Sequence, residues 1–196
     1  MFDIIIIGGG INGILALDFF MKKNINTILL EKNNYLLGTL YDYMYDDLIF
    51  ISEGKKFNID ENILSVRFLK NHFTNLADKY KQHIFFNSNV IDISNNNNEI
   101  NIQINNKKLS CKNIILSMGR TIPKPFYNIN NLVRKINLYK NKNLLLIGSG
   151  DSAGDFILAN YKDNKIIWVN KYNPPSYKFH RTIKEKFSKI SKNNIL

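Results

Sequence analysis

Phe2-Asp-Ile-Ile-Ile-Ile-Gly8-Gly9-Gly10-Ile-Asn-Gly13 is the stretch on which the reading of this chain turns. Phe2 to Ile7 reads as a short apolar strand rich in β-branched residues, and the glycine run bounds it. Ile11 to Lys23 then takes up helical spacing, and Asn26 to Glu31 returns to a strand. That is a β-α-β unit whose crossover is long enough for parallel pairing. Within it, Gly8-x-Gly10-x-x-Gly13 follows a strand and opens a helix, the context in which this spacing points to a dinucleotide. The first glycine makes the tight turn, the second leaves room for a pyrophosphate, and the third lets helix and strand pack closely. Amides at the helix N-terminus then hold the phosphates. Glu31 ends the second strand, where a carboxylate can accept hydrogen bonds from a ribose. The bland alternative is a glycine turn that merely connects strand and helix.

A second unit repeats the arrangement. Gly148-x-Gly150-x-x-Ala153 follows the strand Asn143 to Ile147, a helix runs from about Asp151 to Tyr161, and Lys165 to Val169 forms the next strand. This strand ends Val169-Asn170-Lys171, without an acid at the ribose position. An acid there repels a 2′-phosphate and a lysine attracts one, so the second site favours NADP over NAD.

Between the units, Val66, Leu69, Phe73, Leu76 and Tyr80 recur at three- and four-residue steps, which predicts a helix with one apolar face over Asn62 to Tyr80. A short strand is expected at Leu48 to Ile51 and a buried strand at His83 to Asn87. Val90 to Ser94, Ile100 to Ile104 and Leu109 to Met118 form a β-meander ending in an apolar strand. Pro123 and Pro125 break the chain after it. The fold class expected is therefore α/β: a Rossmann-like doubly wound parallel sheet with a β-meander over residues 1–120, and a partial second Rossmann-like domain over 121–196.

Composition sets the outer limits. Of the 196 residues, 44% are hydrophobic, which excludes a disordered chain. A single cysteine, Cys111, excludes a disulfide framework and a cysteine-based zinc site, and a reducing cytoplasmic compartment fits it. No apolar run approaches the roughly 18 residues of a membrane span. Asp3 and the glycine cluster argue against a signal peptide. The 31 Asn, 30 Ile and 23 Lys reflect a biased composition, so abundance of lysine by itself says little. Its distribution says more: residues 1–118 carry 12 basic and 12 acidic side chains, residues 119–196 carry 15 and 4. Basic residues and aromatics interleave from Lys165 to Lys192, but no nucleic-acid module accompanies them, and a positive wall for an NADP phosphate or a solvated tail explains the same facts. His72, His83 and His180 show no metal spacing, and structural or surface roles suit them better than catalysis.

The paired fingerprints, the Glu31 strand end, the run Asn113-Ile-Ile-Leu-Ser-Met-Gly119 followed by Pro123, and Gly148-Ser-Gly-Asp-Ser-Ala-Gly-Asp155 resemble the two-dinucleotide-fold flavoproteins, the superfamily of FAD- and NAD(P)H-dependent oxidoreductases. Leu37-Gly38-Thr39-Leu40 is similar to the Gly-Gly-Thr-Trp segment of flavin-containing and Baeyer-Villiger-type monooxygenases. Ser152-Ala153-Gly154-Asp155 is similar to their second fingerprint. Of the Phe-x-Gly-x-x-x-His segment of those monooxygenases only Phe126 is found, with Asn128 and Leu132 in the Gly and His places.

The resemblance implies FAD held by Gly8, Gly10, Asn12, Gly13, Glu31, Lys32, Gly38, Thr39, Leu40, Val90 and Gly119. It implies NADP held by Gly148, Gly150, Ser152, Ala153, Lys171 and Arg181. It also implies an enzyme in which NADPH reduces FAD and the electrons pass to an acceptor the sequence does not name, either monooxygenase-like or reductase-like. Disulfide reduction on this fold needs two redox cysteines, which excludes a thioredoxin-reductase activity. The family's returning Gly-Asp segment does not follow the second unit, so a truncated or split gene, a degenerate member, or a protein completed by an oligomeric or complementing partner are all expected readings. The alternative function is a nucleotide-binding module without turnover.

Overall fold

A computed structural model of the chain describes residues 1–44, 46, 49–51, 63–96, 99–105, 107–119, 138–148, 150–170, 181–190, 193 and 195. It divides into two compact units, Met1–Asp42 with Ile49–Leu132, and Tyr43–Leu48 with Val133–Leu196.

In the first unit the strands are β1 (Phe2–Ile7), β2 (Thr27–Leu30), β3 (Ile49–Ile51), β4 (Ile63–Ser65), β5 (Ile84–Phe85), β6 (Val90–Asn96), β7 (Glu99–Ile104) and β8 (Lys107–Leu116). The helices are α1 (Ile11–Met21), α2 (Gly38–Tyr43) and α3 (Val66–Asp78). Six strands form one sheet in the order β5-β2-β1-β8-β7-β6, and β3 pairs with β4 separately. The contacts of β1 with β2 and β8, and of β2 with β5, are parallel. Those of β8 with β7 and β7 with β6 are antiparallel. This mixed α/β architecture, dominated by a parallel sheet, is the class the glycine spacing predicts.

The central strands explain themselves by burial. Ile4 to Ile7 and Thr27 to Leu30 are buried throughout, as strands covered on both faces must be. Ile5, Ile7, Ile28 and Leu30 gather with Ile102, Ile104 and Cys111 into one core cluster. Helix α1, with Ile14 and Leu17 fully buried, packs against β1, β2 and α3. The meander is not an appendage. Strand β8 pairs with β7 through Lys107 to Cys111 and with β1 from Cys111 to Leu116, so one ten-residue strand carries both sheet geometries and Cys111 belongs to each.

Several elements differ from their sequence readings. The helix expected over 62–80 spans Val66–Asp78, because Ile63 to Ser65 pair with β3 and the Ser65 hydroxyl caps the helix by accepting the Phe68 N–H at 3.0 Å. Its apolar face is as expected, with Val66, Leu69 and Phe73 buried. The strand expected at 83–87 shrinks to Ile84–Phe85 at the sheet's outer edge, where Phe85 and Phe86 are 46% and 41% exposed. Neither α2 nor the helix α5 (Arg181–Ser188) is anticipated by the sequence reading. The segment around Pro123, Pro125 and Phe126 lies outside the described residues.

The second unit contains β9 (Asn143–Ile147), α4 (Asp151–Asn160), β10 (Lys165–Val169) and α5, with β9 and β10 parallel. Ala153 and Ile157 of α4 pack with Ile183 and Phe187 of α5, joined by Leu146 and Trp168 from the strands. Alternate residues Leu145, Ile147, Ile167 and Val169 are 49–69% exposed on the other face. Among the described residues, no helix is long and apolar enough to cross a membrane.

The tightest point in the first unit is the crossing of α1 over the end of β1. A β-carbon at position 13 would overlap the carbonyl oxygen of Gly8. Gly13→Ala is therefore expected to force the helix off the strand and lower stability by about 1–3 kcal/mol, read as a drop in the urea midpoint. An unchanged midpoint would show that α1 does not press on the Gly8 carbonyl.

Candidate functional site

The first glycine turn is built from four backbone constraints. Gly8 has φ +106°, a conformation that favours glycine, and its N–H donates to the Leu30 carbonyl at 2.8 Å. A β-carbon there would also strike the Ser117 carbonyl, while the Ser117 N–H donates to Ile7 at 2.8 Å, so the end of β8 closes over the turn. The Gly9 N–H donates to Glu31 Oε2 at 2.7 Å, and the Leu37 N–H donates to the Gly9 carbonyl at 2.9 Å. Gly10 is the N-cap of α1, with no side-chain cap.

Glu31 is 6% exposed at the end of β2, and its second oxygen, Oε1, accepts the Asn33 N–H at 2.9 Å. A buried carboxylate is retained where charge-assisted bonds satisfy it, and here two main-chain amides do so. Each oxygen keeps a further lone pair for a hydroxyl donor. Lys32 beside it is exposed, as is Asn12 on the first turn of α1.

Gly10 differs from its neighbours. Its φ of −76° suits any residue, and a β-carbon on it would have nothing within 4 Å. Gly9 and Gly13 are glycines because the protein itself fills the space; Gly10 is a glycine beside open space at a helix N-terminus. Helix N-termini leave unsatisfied N–H groups that favour an anion. The vacancy fits a phosphate group lying on the main chain.

The segment after Glu31 returns to this turn. Gly38 opens α2 with its α-carbon near the Asn33 side chain, Thr39 is exposed, and Leu40 is buried with its N–H on the Leu37 carbonyl. Val90, at the start of β6, packs half-buried against the core cluster. Gly119 has φ +70° with open space around it. The sequence reading assigns no site role to Gly9, Asn33, Leu37 or Ser117, although all four shape the turn.

In the second unit Gly148 has φ +135°, and its N–H donates to Val169 at 3.0 Å. Its carbonyl accepts the Trp168 indole N–H at 2.6 Å, a contact the sequence reading missed. Gly150 caps α4 without a side-chain bond and, like Gly10, has nothing near its missing β-carbon. Ser152 is exposed on the first turn and Ala153 is buried against α5. Arg181 is the first residue of α5. Lys171 lies outside the described residues. Among those described, no group of three His, Cys, Asp or Glu side chains could hold a metal. His72 stacks on Phe68 at 5.8 Å, and Cys111 is fully buried with its thiol pKa pushed up by that burial.

Residues 5–196 match the family described as pyridine nucleotide-disulphide oxidoreductase. The chain belongs to that family. It is 27% identical to a ferredoxin–NADP reductase of Malacoplasma penetrans, over all of this chain and 64% of the relative. The bacillithiol disulfide reductase of Bacillus cereus shares its fold at a TM-score of 0.78 and 18% identity, over 99% of this chain and 66% of that one. OTEMO in complex with FAD and NADP shares it at 0.67 and 16% identity, over 87% of this chain and 39% of that one. The chain thus spans about two thirds or less of each of these relatives.

Within this family member the second fingerprint carries an unusual carboxylate. Burial first, and then the neighbouring Asp151 carboxylate, together push the Asp155 pKa up to about 6 against the opposing pull of Lys186. Its folded value lies above the ordinary 3.8, so the folded state binds the proton more tightly and stability falls as pH rises from about 4 to about 6. Asp155→Asn is expected to raise the melting temperature at pH 8 and to change it little at pH 4. Equal effects at both pH values would mean that Asp155 ionises normally.

Proposed function

We propose that the chain is the nucleotide-binding part of an FAD-dependent oxidoreductase that takes hydride from NADPH and passes electrons to a separate acceptor. The observation that carries this reading is the pair of open glycine positions, Gly10 and Gly150, each at an uncapped helix N-terminus in its own unit. Two such turns suit two dinucleotides, and OTEMO, of the same fold, is seen with FAD and NADP.

FAD, when bound, supplies the capacity to accept a hydride and release electrons. The chain's own residues bind and orient. Gly10 admits the pyrophosphate to the N-terminal amides of α1, Glu31 accepts from the adenosine ribose, and Gly38 to Leu40 with Val90 and Gly119 bound the remainder of the site. Asn12 and Lys32, both exposed, flank the phosphate and ribose ends. In the second unit Gly148, Gly150, Ser152 and Ala153 receive the NADP pyrophosphate, and Lys171 with Arg181 takes the 2′-phosphate.

A ferredoxin-type carrier is the acceptor class we favour, on the name of the Malacoplasma relative and on the surplus of 15 basic over 4 acidic side chains in residues 119–196, which suits an acidic protein. Cys111, buried in the core, is no thiol for disulfide exchange. A second reading, nucleotide binding without turnover, draws on the uncovered face formed by Leu145, Ile147, Ile167 and Val169.

The test is flavin uptake followed by anaerobic NADPH. A yellow complex bleached by NADPH is the expected result, and Gly10→Val is expected to weaken FAD binding by at least about tenfold while the far-ultraviolet circular dichroism is kept. Retained flavin in that variant removes the pyrophosphate from Gly10. A wild-type protein that stays colourless with added FAD favours the module without turnover.

A further inference from the structure

Leu37 is buried, 1% exposed, with φ +60°. The other non-glycine positions of positive φ among the described residues are asparagines, Asn24, Asn87, Asn105 and Asn141, which tolerate that conformation. A leucine does not, and a strained residue persists only where its surroundings over-determine it. Here the surroundings are the glycine turn. The Leu37 N–H donates to the Gly9 carbonyl at 2.9 Å, while its own carbonyl accepts the N–H groups of Leu40 at 2.8 Å and Tyr41 at 3.2 Å and so starts α2. Leu36 packs directly over the α-carbon of Gly9.

The peptide between Gly9 and Gly10 is planar and trans, so its C=O and N–H point in opposite directions. Holding the Gly9 carbonyl toward Leu37 therefore turns the Gly10 N–H the other way, to the side of the peptide remote from Leu37. The preceding peptide is fixed by the Gly9 N–H on Glu31 Oε2 at 2.7 Å. Both polar groups of Gly9 are thus committed. We infer that Leu37 is a positioning residue for the pyrophosphate site: its left-handed backbone clamps the Gly9 carbonyl and so presents the Gly10 amide before the anion arrives. The inference rests on the dinucleotide reading of this turn, and its effect is preorganisation, which lowers the ordering cost of binding.

Backbone orientation and side-chain packing make opposite demands at this position. Glycine accepts φ +60° freely but fills no space; valine fills space, but its branched β-carbon resists positive φ. Leu37→Val is expected to leave the left-handed region, release the Gly9 carbonyl and bind ADP and FAD at least about tenfold more weakly than Leu37→Gly. The urea midpoints are expected in the reverse order, because Leu37→Gly leaves more of the buried leucine's space empty than Leu37→Val does. In ¹H–¹⁵N spectra the Gly10 amide is expected to keep its wild-type shift in Leu37→Gly and to move in Leu37→Val.

If Leu37→Gly binds as weakly as Leu37→Val, or if the Gly10 amide behaves alike in both, packing governs and the inference is overturned. ADP binding without flavin uptake by the wild type would remove the flavin reading and leave this one standing. A wild type that binds neither nucleotide overturns both.

Discussion

Everything in the first unit depends on how closely α1 can approach the end of β1. Only three residues separate the strand from the helix, and the third residue of the helix lies on the carbonyl oxygen of the first turn glycine, a separation that no side chain survives. Because the two elements touch there, the helix axis leaves the sheet edge with its N-terminus at the tips of β1, β2 and β8. Those tips supply the other groups of the turn: Leu30 and Glu31 from β2, and Ser117 just beyond β8. A wider crossing would move the helix amides away from the buried carboxylate.

The two turns show how one spacing is stabilised by different chemistry. In the first, an anionic side chain gathers amide donors, Gly9 from one strand end and Asn33 from another. In the second, the indole of Trp168 reaches the Gly148 carbonyl, a neutral donor meeting an acceptor. Trp168 also stands edge-to-face on Phe187 at 5.6 Å, so the second turn is tied to the packing of α5. The first turn is tied to the sheet instead, through β2, which is buried along its whole length.

Much of this is legible in the sequence because spacing and local composition suffice. Four isoleucines before a glycine run, an acid at the end of the next strand, and three alternating runs separated by asparagine turns announce β1, β2 and the meander without tertiary information. What stays hidden depends on neighbours that are remote in sequence. Gly9 occupies a variable place in the fingerprint, and its need for glycine comes from Leu36 and Glu31 lying over it. Leu37 carries no mark of a left-handed backbone, since leucine is chosen almost anywhere but there. Phe85 and Phe86 read as core until the sheet order places β5 at an edge. In α5 the spacing of Ile183 and Phe187 was available, but the lysines around them draw attention to charge rather than to the apolar stripe.

The double pairing of β8 sets an order of events at the ribosome. Strand β1 emerges first, yet one of its two neighbours is not made until residues 111–116, roughly 110 residues later. At about 5–20 residues per second, that leaves an apolar strand edge unpaired for on the order of 5–20 s. Once β2 is made, β1 has only that strand beside it in the sheet, and its open side is a template for any passing strand. The β7–β8 hairpin, being local, can close on itself before it docks, so the late partner arrives as a preformed ribbon already anchored through Cys111. A nascent chain of this design has its greatest need of chaperone shelter between the completion of β2 and the arrival of that hairpin.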